Sequence, residues 1–300
     1  MSGRVVVATP AKINLSLGVG PVRSDGYHPL ATVYQAIGLF DEVAVQPGDE
    51  DTLALIGEGV DVSDVPVDES NLAMKAAALL AAHHGIDEGV EMVIRKRIPV
   101  AGGMAGGSAD AAGALVACDA LWETNTPREE LMEIAAELGS DVPFCLVGGT
   151  AVGSGRGELV APAMTRGTYW WVVALAPDGL STPRVYAEFD RLAADAPVPE
   201  PEIPEELMAA LRLGDADLLG KALTNDLQPA VFTLRPELEQ LLASGIEGSA
   251  HGAVVSGSGP TCLFLGGNEN HANLIRGWLR DSVPDLLVAP GPVPGAHVIR

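Results

Sequence analysis

Residues 99 to 113 read Pro99-Val-Ala-Gly-Gly-Met-Ala-Gly-Gly-Ser-Ala-Asp-Ala-Ala-Gly113, with four glycines inside six residues. Ser108-Ala109-Asp110 leads from them into an alanine-rich helical run through Cys118. Glycine lacks the Cβ that bars positive φ, and it lets a ligand come close to the backbone. A glycine loop that opens a helix presents unpaired N–H groups and the positive end of the helix dipole. That combination suits an anion, most often a phosphate. The same composition also suits a mobile turn ahead of a tightly packed helix. Gly102 and Gly107 have the spacing of a Walker A loop, but Ser108 stands where the lysine should follow. Without its own lysine the loop leaves phosphoryl transfer short of a cation at the reacting centre and a base for the acceptor. Both must come from elsewhere in the chain.

The chain has 300 residues, enough to bury a core in one large domain or two ordinary ones. Its formal charge is −22, with 9 basic against 23 acidic residues up to residue 160 and 9 against 17 beyond it. Both halves are acidic, which argues against a nucleic-acid or anionic-membrane partner, since those need clustered Lys and Arg. An anionic ligand must then be held by local dipoles, a few placed cations and a divalent metal. There are only four lysines, so each position is informative. Cys118, Cys145 and Cys262 are widely spaced and form no C-x-x-C, as expected of small buried hydrophobes in a reduced compartment. Arg4–Ala8 is too short for a signal peptide, and the apolar run Tyr169–Ala176 falls far below a membrane span. A cytoplasmic protein is expected.

Val5–Val7 reads as a strand that Pro10 interrupts. After it Lys12, Asn14 and Ser16 alternate with Ile13, Leu15 and Leu17, so the ammonium and the amide share one face. That face is either functional or merely half-exposed, with Lys12 in water. Ser24-Asp25-Gly26 signals a turn, and the Tyr27-His28 pair after it suits either a flat ring ligand or a half-buried loop edge. Val33–Val45 reads as strand and residues 46–70 as an acidic, loop-rich connection. A helix follows over Ala73–His84, with His83-His84 placed to cap its dipole. Val90–Ile94 is a strand, and the only basic triplet, Arg95-Lys96-Arg97, runs straight into the glycine loop.

Thr126-Pro-Arg-Glu129 reads as a capping box, starting a helix that Gly139 ends. Asp141 follows, either as a plain cap for the next turn or as a base at the edge of a cleft. A second glycine-rich segment spans Gly148–Gly157, and composition shifts after it, placing a boundary at residue 160. Beyond it, helices are expected over Leu207–Leu223 and Leu234–Ser244. A strand–turn–strand is expected over 253–265, its Ser256-Gly-Ser-Gly-Pro260 turn being either a plain hairpin, a support for the glycine loop or a contact for its ligand. This order suggests a small α+β sandwich.

Three stretches, the strand with Lys12 and Asn14, the glycine loop and the Ser256–Pro260 turn, resemble in order the three motifs of the GHMP kinases, which phosphorylate small metabolites with ATP. Pro10-Ala-Lys-Ile-Asn-Leu15, Arg23-Ser-Asp-Gly-Tyr-His28, Gly139-Ser-Asp-Val-Pro-Phe-Cys145 and Asn225-Asp-Leu227 look most like the branch that acts on a cytidine-diphosphate methylerythritol. The similarity spans about residues 8 to 265. Where the family usually carries Gly-Leu-Gly, this chain has Gly103-Met-Ala105.

The resemblance implies an α+β, two-domain GHMP kinase fold: an N-terminal ATP-binding α/β domain over 1–160, a C-terminal ferredoxin-like sandwich over 161–300, and the active site in the cleft between them. It implies Lys12 and Asp141 as the catalytic pair and Asn14 as a substrate-orienting residue. Pro99, Val100, Ala101, Gly102, Gly103, Met104, Ala105, Gly106, Gly107, Ser108 and Ala109 would cradle ATP, with Ser108 near Mg²⁺. Asn71 and Lys96 would serve an adenine pocket. Tyr27, His28 and Tyr186 would hold the cytosine, with Thr182 and Asp226 nearby. The expected partners are ATP and the small-molecule substrate, and the expected state a monomer or weak homodimer. Another GHMP kinase, acting on mevalonate or homoserine, is the nearest alternative. An RNA-binding module of shared architecture is disfavoured by the charge of −22.

Overall fold

In the computed structural model, residues 3–100, 102–176, 179–194 and 197–300 are described. The chain opens with two long strands, β1 (Val5–Val19) and β2 (Leu30–Gly48), then β3 (Thr52–Gly57), α1 (Leu72–His84) and β4 (Gly89–Lys96). Next come α2 (Gly106–Trp122), α3 (Arg128–Leu138), α4 (Val142–Val147), β5 (Thr150–Ser154) and β6 (Leu159–Pro162). After these are β7 (Tyr169–Leu175), α5 (Thr182–Leu192), α6 (Glu205–Leu213), α7 (Ala216–Ala222), β8 (Thr224–Asn225), α8 (Gln228–Leu234) and α9 (Glu237–Glu247). The chain closes with β9 (Gly252–Val255), β10 (Cys262–Gly266), α10 (Glu269–Leu279), β11 (Asp285–Gly291) and β12 (His297–Val298).

The first sheet is built on the antiparallel β1–β2 pair, in the order β12-β1-β2-β4-β3, with β5 and β6 continuing from β2. Pro10 does not interrupt β1 as its sequence suggests. It sits at a register shift between Pro10 and Ala11, where its missing N–H breaks no ladder. A second shift follows Asn14. Ile13, Leu15, Val33, Ile37 and Val43 on these strands join one core with the alanine face of α2. Helix and sheet come so close that a Cβ on Gly113 would lie 2.7 Å from Val43 Cγ2. Thr9 Oγ1 also donates to the Ala109 carbonyl at 2.8 Å, tying β1 to the start of α2.

The second sheet, β11-β7-β10-β9, is antiparallel throughout. Its alternation divides its residues between two cores. Trp171, Val173, Leu263 and Leu265 face the first core with Leu207 and Leu211, while Val172, Ala174, Cys262 and Phe264 face α5, α8, α9 and α10. Trp171 Nε1 donates to Gln35 Oε1 at 2.8 Å, both residues fully buried, so the two sheets are stitched as well as packed.

Several elements differ from the sequence reading. The helix expected over Leu207–Leu223 is two helices, because Gly214 turns left-handed (φ 74°) and Asp215 caps the second. The acidic connection contains β3, parallel to β4. The Thr126 side chain caps nothing at the start of α3: its hydroxyl meets His84 Nε2 at 2.8 Å, and His83 Nε2 meets Glu130 at 2.8 Å. The two histidines thus fasten α1 to α3. The first sheet reaches Pro162 and the second begins at Tyr169, but β8 and β12 return to pair with β1.

Candidate active site

The glycine loop crosses from β4 to α2 in a shape that requires glycine at position 103. Gly103 has φ 72°, and a Cβ there would lie 2.9 Å from the Gly259 carbonyl oxygen. Thr261 Oγ1 donates to the Gly102 carbonyl. The Ser256–Pro260 turn therefore supports the loop from behind. Ala105, where the family usually has glycine, also adopts a left-handed conformation, φ 58°. In α2 the Ala109 N–H donates to the Ala105 carbonyl at 2.8 Å. The amides of Gly106, Gly107 and Ser108 precede that bond and form the positive end of the helix.

Pro99 and Gly102 to Ser108 line a cleft of about 980 Å³ with Lys12, Asn14, Asp141 and Tyr186. Lys12 Nζ lies 3.3 Å from Asp141 Oδ1 and donates to Asn14 Oδ1 at 3.0 Å. Asn14 is held in turn: its Nδ2 donates to Thr32 Oγ1 at 2.8 Å, and Thr32 Oγ1 donates to the Ser16 carbonyl at 2.7 Å. The Ser256 hydroxyl accepts from the Asn14 backbone N–H at 3.1 Å. Asp141 sits at the N-cap position of α4, but its side chain accepts no capping bond, so the carboxylate is left to the cleft. Its side chain is 30% exposed against 7% for Lys12. The ammonium is thus buried beside a carboxylate that a ligand can reach.

Part of the cleft wall is aromatic. His28 and Tyr186 have ring centroids 5.2 Å apart at 34°. The His28 Nδ1–H donates to the Gly20 carbonyl at 2.8 Å, leaving Nε2 3.5 Å from Asp190 Oδ1. Tyr27 is exposed, with the Arg156 guanidinium 5.0 Å from its ring centroid. Burial first, and then the nearby Asp141, push the Tyr186 phenol up to about 12. It therefore stays neutral and stacks as a ring. Thr182 begins α5 at the cleft wall, its hydroxyl 2.8 Å from that of Ser258.

Other residues named from the sequence lie elsewhere. Lys96 does not reach the cleft: it is 2% exposed, and its ammonium is held between Asp41 Oδ2 at 2.5 Å and Asp110 Oδ2 at 2.7 Å. Asn71 caps α1, accepting from the Ala73 N–H at 2.9 Å and donating to the Pro66 carbonyl at 2.7 Å. Both its donor and acceptor groups are thereby engaged by the fold. Val100 and Ala109 lie outside the cleft lining, and Ala109 is fully buried. Asp226 accepts from the Val19 N–H at 2.9 Å and so secures β1. Ala101 lies outside the described residues. Ser258 of the second glycine turn also lines the cleft, while sequence reading missed Tyr34, Glu137, Arg156 and Asp190, which line it too. Only Arg156 carried a signal, a cation inside the second glycine-rich segment.

Among the described residues no three His, Cys, Asp or Glu side chains gather as a metal site. The cleft instead offers scattered oxygen donors, the Ser108 hydroxyl and the Asp141 and Glu137 carboxylates. That set fits Mg²⁺ bound through a nucleotide's phosphates and one or two protein oxygens, not a protein cage.

Residues 71–149 match the GHMP kinases N terminal domain and residues 207–284 match the GHMP kinases C terminal domain. A 4-diphosphocytidyl-2-C-methyl-D-erythritol kinase of Thermobifida fusca is 57% identical, with 98% of each chain covered. The same kinase of Streptomyces avermitilis is 53% identical over 98% of this chain and 99% of the relative. The chain belongs to the 4-diphosphocytidyl-2-C-methyl-D-erythritol kinase family of GHMP kinases. As a GHMP kinase it is an ATP-dependent small-molecule kinase with the two-domain GHMP fold. A crystal structure of a 4-(cytidine 5'-diphospho)-2C-methyl-D-erythritol kinase superposes with a TM-score of 0.77 at 31% identity, covering 95% of this chain and 98% of that one. Homoserine kinase from Cytophaga hutchinsonii reaches 0.76 at 19% identity over 100% and 98% of the two chains, which is a shared fold alone. No helix among the described residues is long and apolar enough to cross a membrane.

Proposed function

We propose that this GHMP kinase transfers the γ-phosphoryl group of ATP to the tertiary 2-hydroxyl of 4-diphosphocytidyl-2-C-methyl-D-erythritol, a step toward isoprenoid precursors by the non-mevalonate route. The observation that carries the reading is the set of groups lining one cleft: a helix-opening glycine loop, the Lys12–Asp141 pair and the His28–Tyr186 stack. The Gly106, Gly107 and Ser108 amides hold the triphosphate. Asp141 accepts the hydroxyl proton as the oxygen attacks, and the Lys12 ammonium stabilises charge on that oxygen. Asn14, fixed through Thr32, orients the acceptor. Tyr27, His28, Tyr186 and Thr182 take the cytidine end. The Ser108 hydroxyl would help hold Mg²⁺, which would neutralise phosphate charge. We place the enzyme in the cytoplasm, as a monomer or weak homodimer.

The test mixes purified protein with Mg·ATP and the cytidine compound, following ADP and phosphorylated product, with mevalonate and homoserine alongside. Turnover of the cytidine compound, inhibited by CMP, is expected. Turnover of a control alone would keep the chemistry and overturn the substrate.

A further inference from the structure

Behind Lys12 lies a ring that phosphoryl transfer itself does not use. Tyr34, on β2, is 3% exposed, and the Lys12 ammonium lies 5.0 Å from its ring centroid, within reach of a cation–π contact. The Phe144 ring packs against Tyr34 with centroids 4.9 Å apart at 39°. Phe144 belongs to α4, the helix at whose N-cap position Asp141 stands. One ring therefore touches both the ammonium and the helix that presents the carboxylate.

The glycine-rich segment after Asp141 is shaped around this ring. Tyr34 pairs with Ala151 across β2 and β5. A Cβ on Gly153 would lie 2.5 Å from Tyr34 Cε2, and one on Gly157 would lie 2.3 Å from the phenol oxygen. Any larger residue at either position would push the ring out of place. The phenol reaches the Gly157 carbonyl only at 3.5 Å, the outer limit of a hydrogen bond, so packing holds the ring. Burial raises the phenol pKa well above its ordinary value, and Tyr34 stays neutral beside the ammonium.

We propose that Tyr34 is a positioning residue whose ring sets the separation of Lys12 and Asp141. A lysine ammonium rides on a flexible four-carbon stem. Here its polar partners are two side-chain oxygens, Asn14 Oδ1 and Asp141 Oδ1. The ring backs the ammonium on one side and braces α4 on the other, so the pair keeps its spacing when a substrate hydroxyl enters between them. The inference rests on the roles given above to Lys12 and Asp141.

Two variants test it, Tyr34→Phe, which keeps the ring, and Tyr34→Leu, which removes it. With Phe, kcat should stay within about threefold of the parent. With Leu, kcat should fall by roughly tenfold to a hundredfold, while KM for ATP stays within about twofold. Loss of ring position with no effect on kcat, or a Phe variant as damaged as Leu, would overturn the proposal. A second measurement needs no substrate and no folded Leu variant. The chain has four lysines, so protein labelled with 13C at lysine Cε gives four resolvable signals. One should be shifted upfield by the ring and remain so in Tyr34→Phe. An unshifted set in the parent protein would contradict the contact outright. If the parent fails to phosphorylate the cytidine compound, the substrate assignment falls while the lysine spectrum still tests the Lys12–Tyr34 contact on which the proposal stands.

Discussion

The backbone N–H of Lys12 donates to the Met104 carbonyl at 3.1 Å, so the strand carrying the ammonium and the glycine loop are one hydrogen-bonded unit. Met104 is fully buried, which fixes the loop from inside. Lys12 and the glycine loop are therefore positioned relative to one another by one short stretch of backbone. Ala105 follows immediately, in the left-handed conformation that favours glycine.

Ala105→Gly should accordingly stabilise the protein. The left-handed region costs an L-residue about 1–2 kcal/mol, partly offset by the greater freedom glycine has when unfolded. A rise in the urea midpoint equivalent to about 0.5–1 kcal/mol is expected, with KM for ATP changed less than about threefold. A lower midpoint would show that the Ala105 methyl contributes packing that outweighs its backbone strain.

The buried cluster of Asp41, Lys96 and Asp110 gives stability a pH dependence. Asp41 Oδ1 accepts from the Arg97 and Ile98 N–H groups, whereas Asp110 Oδ1 is buried without a partner. Burial outweighs Lys96 and pushes the Asp110 carboxyl up from 3.8 to about 8. Between about pH 4 and about 8 the folded chain then keeps a proton that the unfolded chain has lost. Stability from this group is fully present below pH 4 and is lost as pH rises through about 8. Asp110→Asn cannot ionise, so parent stability relative to the variant should fall from pH 5 to pH 8.5 in urea titrations. Parallel curves across that range would contradict it.

Tyr186→Ala should raise KM for the cytidine substrate by about tenfold or more and leave KM for ATP almost unchanged, since a stacked ring is worth roughly 1–3 kcal/mol per base. Initial-rate kinetics with each substrate varied in turn separates the two. Equal effects on both would move Tyr186 out of the cytosine site.

Much of this site was legible in the sequence because its parts are contiguous strings. A glycine loop opening a helix, a lysine in an alternating strand and an aspartate just past a helix stop each leave a local mark. Lys96 shows the limit. A basic triplet beside a phosphate loop suggests a ligand contact, but direction is set by tertiary burial, and Asp41 lies 55 residues away in the chain. Tyr34 was invisible for a related reason: in a strand it reads as one more buried residue, and its value comes from Lys12, Phe144 and two distant glycines. The strands β8 and β12, two residues each, are too short to show periodicity, so their return to β1 could not be read. Alternation and helix stops gave most individual elements, and the family resemblance gave the two-domain fold, while Thr126 and Gly214 moved helix ends through contacts or turns outside their own pattern.

The most direct test of the account is Asp141→Asn, measured for both ATP affinity and turnover. The substitution keeps the size of the side chain beside Lys12 and removes its ability to accept a proton. Calorimetric ATP affinity should stay within a few-fold, while kcat for the cytidine compound should fall by roughly 10²–10⁴. Turnover near that of the parent, with ATP binding intact, would remove Asp141 from the chemistry and contradict the mechanism built on its pairing with Lys12.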